Sequence, residues 1–521
     1  MGALRNILSG NWRATPKVRN EFDGGRMRRR LKSWVPTQYT INTILSASGD
    51  LLRSRCRDAM RNNAHANAAC DSFVANLIGT GIKPSSLISD NPDLREAVMN
   101  LWLEWTDQCD ADGLADFYGM QTIVARAIFE AGECFIRFRP RRMEDGYLVP
   151  LQIQLLESEM CPFGKNEKAP NGNFIMNGIE LDFLGKRAAY WFYPVHPGDM
   201  PVETGVASMT PVRVPASEVL HIFRCTRPGQ MRGVPLITPA LVRLFFLDQY
   251  DDAELERKRI AAMFAGFITT PAPEDVIPID GIDNSAEQEN VALSGLEPGT
   301  MQTLLPGEDI KFSDPADVGG SYEAYQYRQQ LAVFAALGIP YSICTSDLRR
   351  ANYSSLRGSI VEYRRKLEQL QHNIFVFQMC APIWRRWMDT AVLAEAIDID
   401  ATMYLADKSQ FTRARWIPQR NDWVDPLKDR QAEKLAVDAG FKSRSDVIEA
   451  EGFDPEESDK RIAADKQREE DLDLVFPVVY ASATQPLAPS DQAAQDAADQ
   501  AAQEAADQAA AEQADQADSA A

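Results

Sequence analysis

Residues 238–264 read TPALVRLFFLDQYDDAELERKRIAAMF. Thr238 is a good N-cap and Pro239 suits a first helical turn, so a helix is predicted to start here. Its first half is strongly apolar and its second half strongly charged. If continuous, it is about 39 Å long. A helix of that length with so mixed a surface packs against other helices. The acids Asp248, Asp251, Asp252, Glu254 and Glu256 precede Arg257, Lys258 and Arg259. That spacing offers charge pairs three and four residues apart. We therefore expect Asp251, Asp252, Glu254, Arg257 and Lys258 to form a solvated or subunit-facing helix surface.

A second helix is expected over 321–337, stopped by Gly338-Ile339-Pro340. Between the two helices, 265–320 reads as a small irregular module with strand-like GFITTP and MQTLLPGEDIKF. After them comes a loop, YSICTSDLRRANY, in which Arg349 and Arg350 stand beside Ser346, Asp347 and Asn352. Solvated loop arginines or an intersubunit salt bridge are the plainer reading; if the loop faces nucleic acid, two mobile guanidiniums could touch phosphates transiently. A long helical pattern then runs from about Ser354 to Leu393, with Ile360, Leu367, Leu370, Ile374, Phe377, Ile383 and Trp387 among its apolar positions.

Before residue 238 the chain reads as one α+β domain. A helix is expected from Ser54 to Leu77, where Ala64, Ala68, Phe73 and Leu77 recur at helical spacing. GTGIKPSS breaks it. Asn91-Pro92 opens a second helix through Trp105, and a third spans Tyr118–Glu130 before the strand-like CFIRFRP. LVPLQIQLLES, NFIMNGIELDF, AAYWFYPV and VLHIFRC then read as strands divided by turns. The N-terminal stretch is a basic arm, with Arg19, Arg26, Arg28, Arg29, Arg30 and Lys32. Past Trp423 two short helices meet at a Gly440 turn. The final Ala/Gln/Asp repeats hold no large apolar residue after Leu487 and cannot bury a core.

Composition narrows the function. The 521 residues suffice for two to four domains, and 45% are apolar. A net charge of −20 speaks against a general nucleic-acid binder, but part of the excess is the acidic tail, and by itself the acidity favours neither reading. No apolar run is long enough to span a membrane, and no signal-peptide or myristoylation pattern is expected at the start. A soluble chain made in the cytoplasm is the expectation. Cys56, Cys70, Cys109, Cys134, Cys161, Cys225, Cys344 and Cys380 form no CxxC pair, so small buried thiols are expected rather than a disulfide framework or a zinc site. Phosphate-loop, dinucleotide, nucleophile-elbow and HExxH motifs are missing from the sequence. His65, His196, His221 and His372 share no local motif, and His221, inside VLHIFRC, reads as a satisfied core histidine. In CDADGLAD the acids Asp110, Asp112 and Asp116 lack calcium-loop spacing and read as a loop. No enzyme, metal or cofactor is expected.

Several stretches together resemble one family. RNNAHANAACDSFVANLIGTG resembles its early helix, and VLHIFRCTRPGQMRGVP its strand junction with Gly229-Gln230 and Arg232-Gly233. LLPGEDIKF is similar to the segment closing the module between its two helices. AALGIPYSICTSDLRRANYSSLRGS, starting at Ala335, is similar to its helix end, loop and Tyr-Ser restart, and Asp425-Pro426 with a late Ala-Gly is also similar. The family is the lambda-type portal proteins of tailed phages, and the likeness spans roughly residues 30 to 460. The terminal arm and the tail fall outside it.

The resemblance implies a portal fold: a mixed α/β wing, long stem helices, a small β-containing clip and a crown. It implies an arm at 1–50, wing at 51–237, stem helices at 238–264 and 321–339, and clip at 265–320. A tunnel loop at 340–353 would face DNA. A long wing helix at 354–399, a wing/crown helical region at 400–475 and a low-complexity disordered tail at 476–521 complete it. It further implies a homo-oligomeric ring of twelve subunits at the portal vertex of the virion. That ring would hold double-stranded viral DNA without sequence preference. Its partners would be the terminase large subunit, the major capsid protein and scaffold, and head-completion or tail connector proteins, with no membrane. A tail or baseplate component is the alternative, which a ring with a central pore would exclude.

Overall fold

The computed structural model describes residues 33, 35–88, 91–199, 210–262, 266–269, 309–312, 321–419 and 426–474. The basic residues of the arm, most of the 265–320 module and the 476–521 tail lie outside the described residues. The chain divides into two units, Met1–Gly452 and Phe453–Ala521.

The first helix, α1, spans Ile41–Asn62, and the Thr40 hydroxyl accepts the Thr43 N–H to start it. The second, α2, spans Ala64–Leu77. One helix starting near Ser54 was the expectation. Instead helix begins inside the presumed arm and breaks at Asn63, whose backbone is extended and whose Oδ1 accepts the Ala66 N–H at 2.7 Å. An asparagine side chain offers the backbone this alternative partner, which is why it starts helices rather than continuing them. Strand β1 follows at Lys83–Ser86, then α3 at Pro92–Thr106, with Asn91 capping and Pro92 in the first turn. Helix α4 spans Phe117–Glu130 and is capped by Asp116.

The expected β region is present. Strands β2 (Glu133–Pro140), β3 (Leu151–Leu156) and β9 (Val219–Phe223) form an antiparallel sheet in the order β3-β2-β9. Strands β4 (Glu167–Lys168), β5 (Phe174–Met176), β6 (Ile179–Leu181), β7 (Arg187–Phe192) and β8 (Val212–Pro215) form a second, in sequence order. Alternation sends Cys134, Ile136 and Phe138 of β2 into the main core and Phe135 into a smaller core with Tyr190 and Phe192.

The next helix, α5, spans Thr238–Ala262, and the Thr238 hydroxyl bonds back to the Pro235 carbonyl. Strands β10 (Gly266–Thr269) and β11 (Asp309–Phe312) lie in the two strand-like runs and pair antiparallel. Helix α6 spans Ser321–Leu337. The stretch expected to be a plain loop contains a short helix, α7, at Tyr341–Thr345, which stops at Ser346 with φ +55°.

The long helix is not uniform. It runs as α8 (Tyr353–Leu370), a π-helical stretch (Gln371–Cys380) and α9 (Ala381–Leu393). Pro382 has no N–H to return to the preceding turn, so the standard ladder cannot pass through it. The wider turn has a partner ready. Gln378 accepts the Phe223 N–H at 3.0 Å and donates to the Phe223 carbonyl at 3.1 Å, pairing with β9 as another strand would. Near this point Trp384 and Trp387 of α9 meet Trp102 of α3 at 4.9 and 5.0 Å between ring centres, all buried.

Helices α10 (Ala401–Ala406) and α11 (Lys408–Thr412) precede β12 (Ala414–Ile417), which pairs with β1. That strand pair was not foreseen, because its halves are far apart in sequence. Helices α12 (Pro426–Asp438) and α13 (Arg444–Ala450) flank the expected Gly440 turn, where φ is +72°. In the second unit, α14 spans Pro455–Asp471 with Asp454 as its cap.

Six cysteines are buried as expected, but Cys225 is exposed and Cys344 only half-buried. Burial pushes the Cys56 and Cys70 thiols up to about 12, which keeps them inert.

Candidate functional site

Helices α5 and α6 pack side by side. Leu241, Leu244 and Leu247 of α5 and Val333 and Phe334 of α6 are buried. Further along, Tyr250 meets Tyr325 at 4.9 Å and Tyr322 at 6.0 Å. The Tyr322 hydroxyl donates to Asp251 Oδ1 at 3.1 Å, and burial raises the Asp251 carboxyl. Glu254 is buried and accepts both ends of the Arg257 guanidinium at 2.6 and 2.8 Å. Lys258 Nζ lies 3.9 Å from Glu254 and 5.0 Å from the Tyr322 ring centre. So Asp251, Glu254, Arg257 and Lys258 make contacts within their own chain, while Asp252 is exposed.

The loop after α7 is held against α6. Asp347 accepts the Arg349 backbone N–H at 3.1 Å and its guanidinium through two bonds of 3.0 Å. Those bonds hold the Asp347 carboxyl down at about 2. Arg349 also lies 3.5 Å from Glu323, and Arg350 lies 3.8 Å from the same carboxylate. The Arg350 guanidinium sits 4.3 Å from the Tyr327 ring centre. Both arginines are exposed, yet both face carboxylates of their own chain. Asn352 then caps α8 by accepting the Ser355 N–H at 2.7 Å.

A third grouping lies where the sheets lead into α5. Glu133 has no solvent exposure. It accepts from Arg232 Nη2 at 2.5 Å, His221 Nε2 at 2.9 Å, the Ser158 hydroxyl at 2.5 Å and the Gly233 N–H at 2.7 Å. Burial alone would raise the Glu133 carboxyl; the Arg232 and His221 contacts overcome this and hold it well below the carboxylate range. Burial pushes His221 down to about 4, so the ring is neutral and donates to Glu133. His221 is thus a core histidine bonded through Nε2, while its buried Nδ1 has no partner among the described residues, so the satisfied histidine read from the sequence is only half met. Arg232-Gly233 was singled out in the sequence only as part of the strand junction, and its pairing with Glu133 went unforeseen.

The CDADGLAD acids build a loop. Asp110 accepts the N–H groups of Asp112, Leu114 and Ala115, and Asp116 caps α4. Glu157, Glu159 and His196 come together, a donor set that metals use. Here His196 Nδ1 accepts the Gly198 N–H, so its proton sits on Nε2, which faces Glu157 at 3.1 Å. Arg53 and Arg57 already pair with Glu159. This arrangement is an ion-pair cluster.

The helix pair, its loop and the junction before it all fall within residues 27–371, which match the model for phage portal proteins of the lambda family. The chain belongs to that family. The matched span ends at Gln371, where the π-helical stretch of this portal-family chain begins. The probable portal protein of Halomonas phage phiHAP-1 is 26% identical over 486 residues, covering 91% of each chain. Portal protein B of Escherichia phage lambda is 20% identical over 473 residues, covering 82% of this chain and 85% of its own. Among solved structures, the neck of a native GTA particle, computed with C12 symmetry, is similar at a TM-score of 0.44 and 14% identity. It covers 77% of this portal chain and 94% of its own. The virion of a native gene transfer agent particle is similar at a TM-score of 0.39 and 13% identity, over 81% and 96%.

Proposed function

We propose that this portal protein forms a closed ring at one capsid vertex and serves as the channel for DNA packaging and ejection. The carrying observation is the family match, which runs unbroken across the α+β domain, both packed helices and the loop between α6 and α8. A ring is the natural product of one head-to-tail interface that closes. On this reading the wing is 51–237, the stem 238–264 and 321–339, the clip 265–320 and the tunnel loop 340–353. The 354–399 helix returns through the wing, and 400–475 contributes wing and crown.

The ring does no bond chemistry. It docks the terminase large subunit, guides the duplex, and later accepts head-completion or tail connector proteins. The major capsid protein and scaffold are its partners as the shell assembles. Arg349 and Arg350 touch passing phosphates only if Asp347 and Glu323 release them. The stem charges Asp251, Glu254, Arg257 and Lys258 stiffen each subunit, and Asp252 remains free to face a neighbour.

Negative-stain electron microscopy of the purified chain, with native mass measured alongside, tests this. Open-centred rings of about ten to fourteen subunits are expected. Solid particles or fibres without a pore would overturn it.

A further inference from the structure

Strand β2 carries Arg137 and Arg139 on one face, and Arg141 continues the alternation because its N–H still bonds to the Pro150 carbonyl. The spacing along the row is about 6.7 Å. All three side chains are half-buried. Their partners are neutral. Arg139 donates from Nε and Nη2 to Gln154 Oε1 at 2.9 and 2.5 Å, and Arg141 Nε donates to Gln152 Oε1 at 2.8 Å. Arg137 Nε is buried without a hydrogen-bond partner.

Glutamine at both cross-strand positions orients a guanidinium without neutralising it. Gln152 cannot turn away, because its amide donates to the Gln108 and Asp110 carbonyls at 2.8 and 3.0 Å. Among the described residues none of the three arginines has a carboxylate within ion-pair distance; Asp112 and Glu218 stand further off. Five other arginines of the same domain are held by acids, although Arg187 too bonds only neutral partners, the Tyr190 hydroxyl and the Met231 carbonyl. Arg53, Arg57, Arg126, Arg213 and Arg232 each hold a carboxylate. Burial, and the repulsion of Arg137 and Arg141, push the Arg139 guanidinium down. A chain of net charge −20 has many acids to spare, yet none comes within ion-pair distance of the row; Asp112 reaches only the Gln154 amide, at 3.5 Å.

We propose that Arg137, Arg139 and Arg141 form a docking face for the phosphate backbone of duplex DNA, separate from the 340–353 loop. The assignment rests on the portal reading for the presence of DNA. A regular row of like charge suits a polymer that repeats the opposite charge. The alternative loop arginines already face Asp347 and Glu323. The acidity of the whole chain keeps the contact weak and salt-sensitive.

The test is binding of the full-length chain to a labelled duplex of about 30 base pairs across a salt series, by anisotropy, with ring formation followed separately. Each phosphate contact contributes about 0.9 to the slope of log affinity against log salt, so replacing all three arginines by glutamine should flatten it by about 2.7. Gln154→Glu is the second variant. It removes no arginine, adds the missing carboxylate beside Arg139, and should flatten the slope by about 0.9. Unchanged slopes in both variants, or no binding by the parent chain, would overturn the assignment. Lost rings with unchanged DNA binding would overturn it too, and would give the row to an acidic neighbouring copy. Failure of the parent to form rings bears on the portal reading instead, because ring formation is scored without DNA.

Discussion

Glu133 is a charge with no solvent, and its stability rests on contacts brought from far along the chain. Arg232 is ninety-nine residues away in sequence. No local pattern links them, so the pair could not be read beforehand, whereas the single apolar strand around His221 could. Removing one partner of a buried pair leaves the other uncompensated, so Glu133→Ala should cost about 3–5 kcal/mol in urea unfolding. Adding Arg232→Met to it should restore part of that loss, and an additive double variant would refute the coupling. The network also sets a pH dependence. Histidine in an unfolded chain binds a proton near pH 6.5, while His221 does so only near 4. Between those values the unfolded chain binds more protons, so stability falls as pH is lowered through that window. Glu133 adds to the fall lower down, since its depressed carboxyl contributes fully above the ordinary range and is lost as it protonates. His221→Asn should shrink the loss of unfolding midpoint between about pH 7 and about pH 5. An equal loss in the variant would show that the dependence arises elsewhere.

At the scale of elements, caps and punctuation were legible and long-range pairings were not. Thr238-Pro239 and Gly338-Ile339-Pro340 bounded α5 and α6 within a few residues. Asn63 was misjudged, because its flanks are both good helix and only its side-chain bond shows the break. The β1–β12 pair and the Gln378 contact with Phe223 depend on tertiary contact alone. The join into α5 depends on two glycines. At Gly233 an added Cβ would overlap the Gly132 carbonyl, and at Gly132, with φ +88°, it would meet the Val234–Pro235 backbone. Backbone cannot rotate away as a side chain can. Gly233→Ala should therefore destabilise the chain by about 1–3 kcal/mol or more, read from the midpoint of urea unfolding. A midpoint within error of the parent would mean the two segments can part without loss. Gln378→Ala leaves the Phe223 N–H and carbonyl without their partner and should cost about 1–3 kcal/mol. Hydrogen exchange reports it directly: the Phe223 amide should exchange faster while amides of α1 do not, and unchanged protection at Phe223 would remove Gln378 from that role.

For the whole molecule the deciding quantity is charge. On the ring reading, neighbouring copies, each with net charge −20, repel one another on approach. Attractive ion pairs between neighbours would offset this, and the charged half of α5 was the place the sequence offered for them. Four of its five candidate charges already have partners inside their own chain. With those charges committed, like-charge repulsion is expected to be the larger electrostatic term in assembly. Added salt screens exposed charges beyond a distance of about 10 Å at 0.1 M and about 3 Å at 1 M. The ring fraction at fixed protein concentration should rise as salt is raised, followed by sedimentation velocity. The DNA contact of Arg137, Arg139 and Arg141 should weaken over the same range, so the two responses have opposite signs and separate in one titration. Rings that dissociate as salt rises would mean that cross-subunit ion pairs outweigh net repulsion, and Asp252 would be the first residue to reverse in charge.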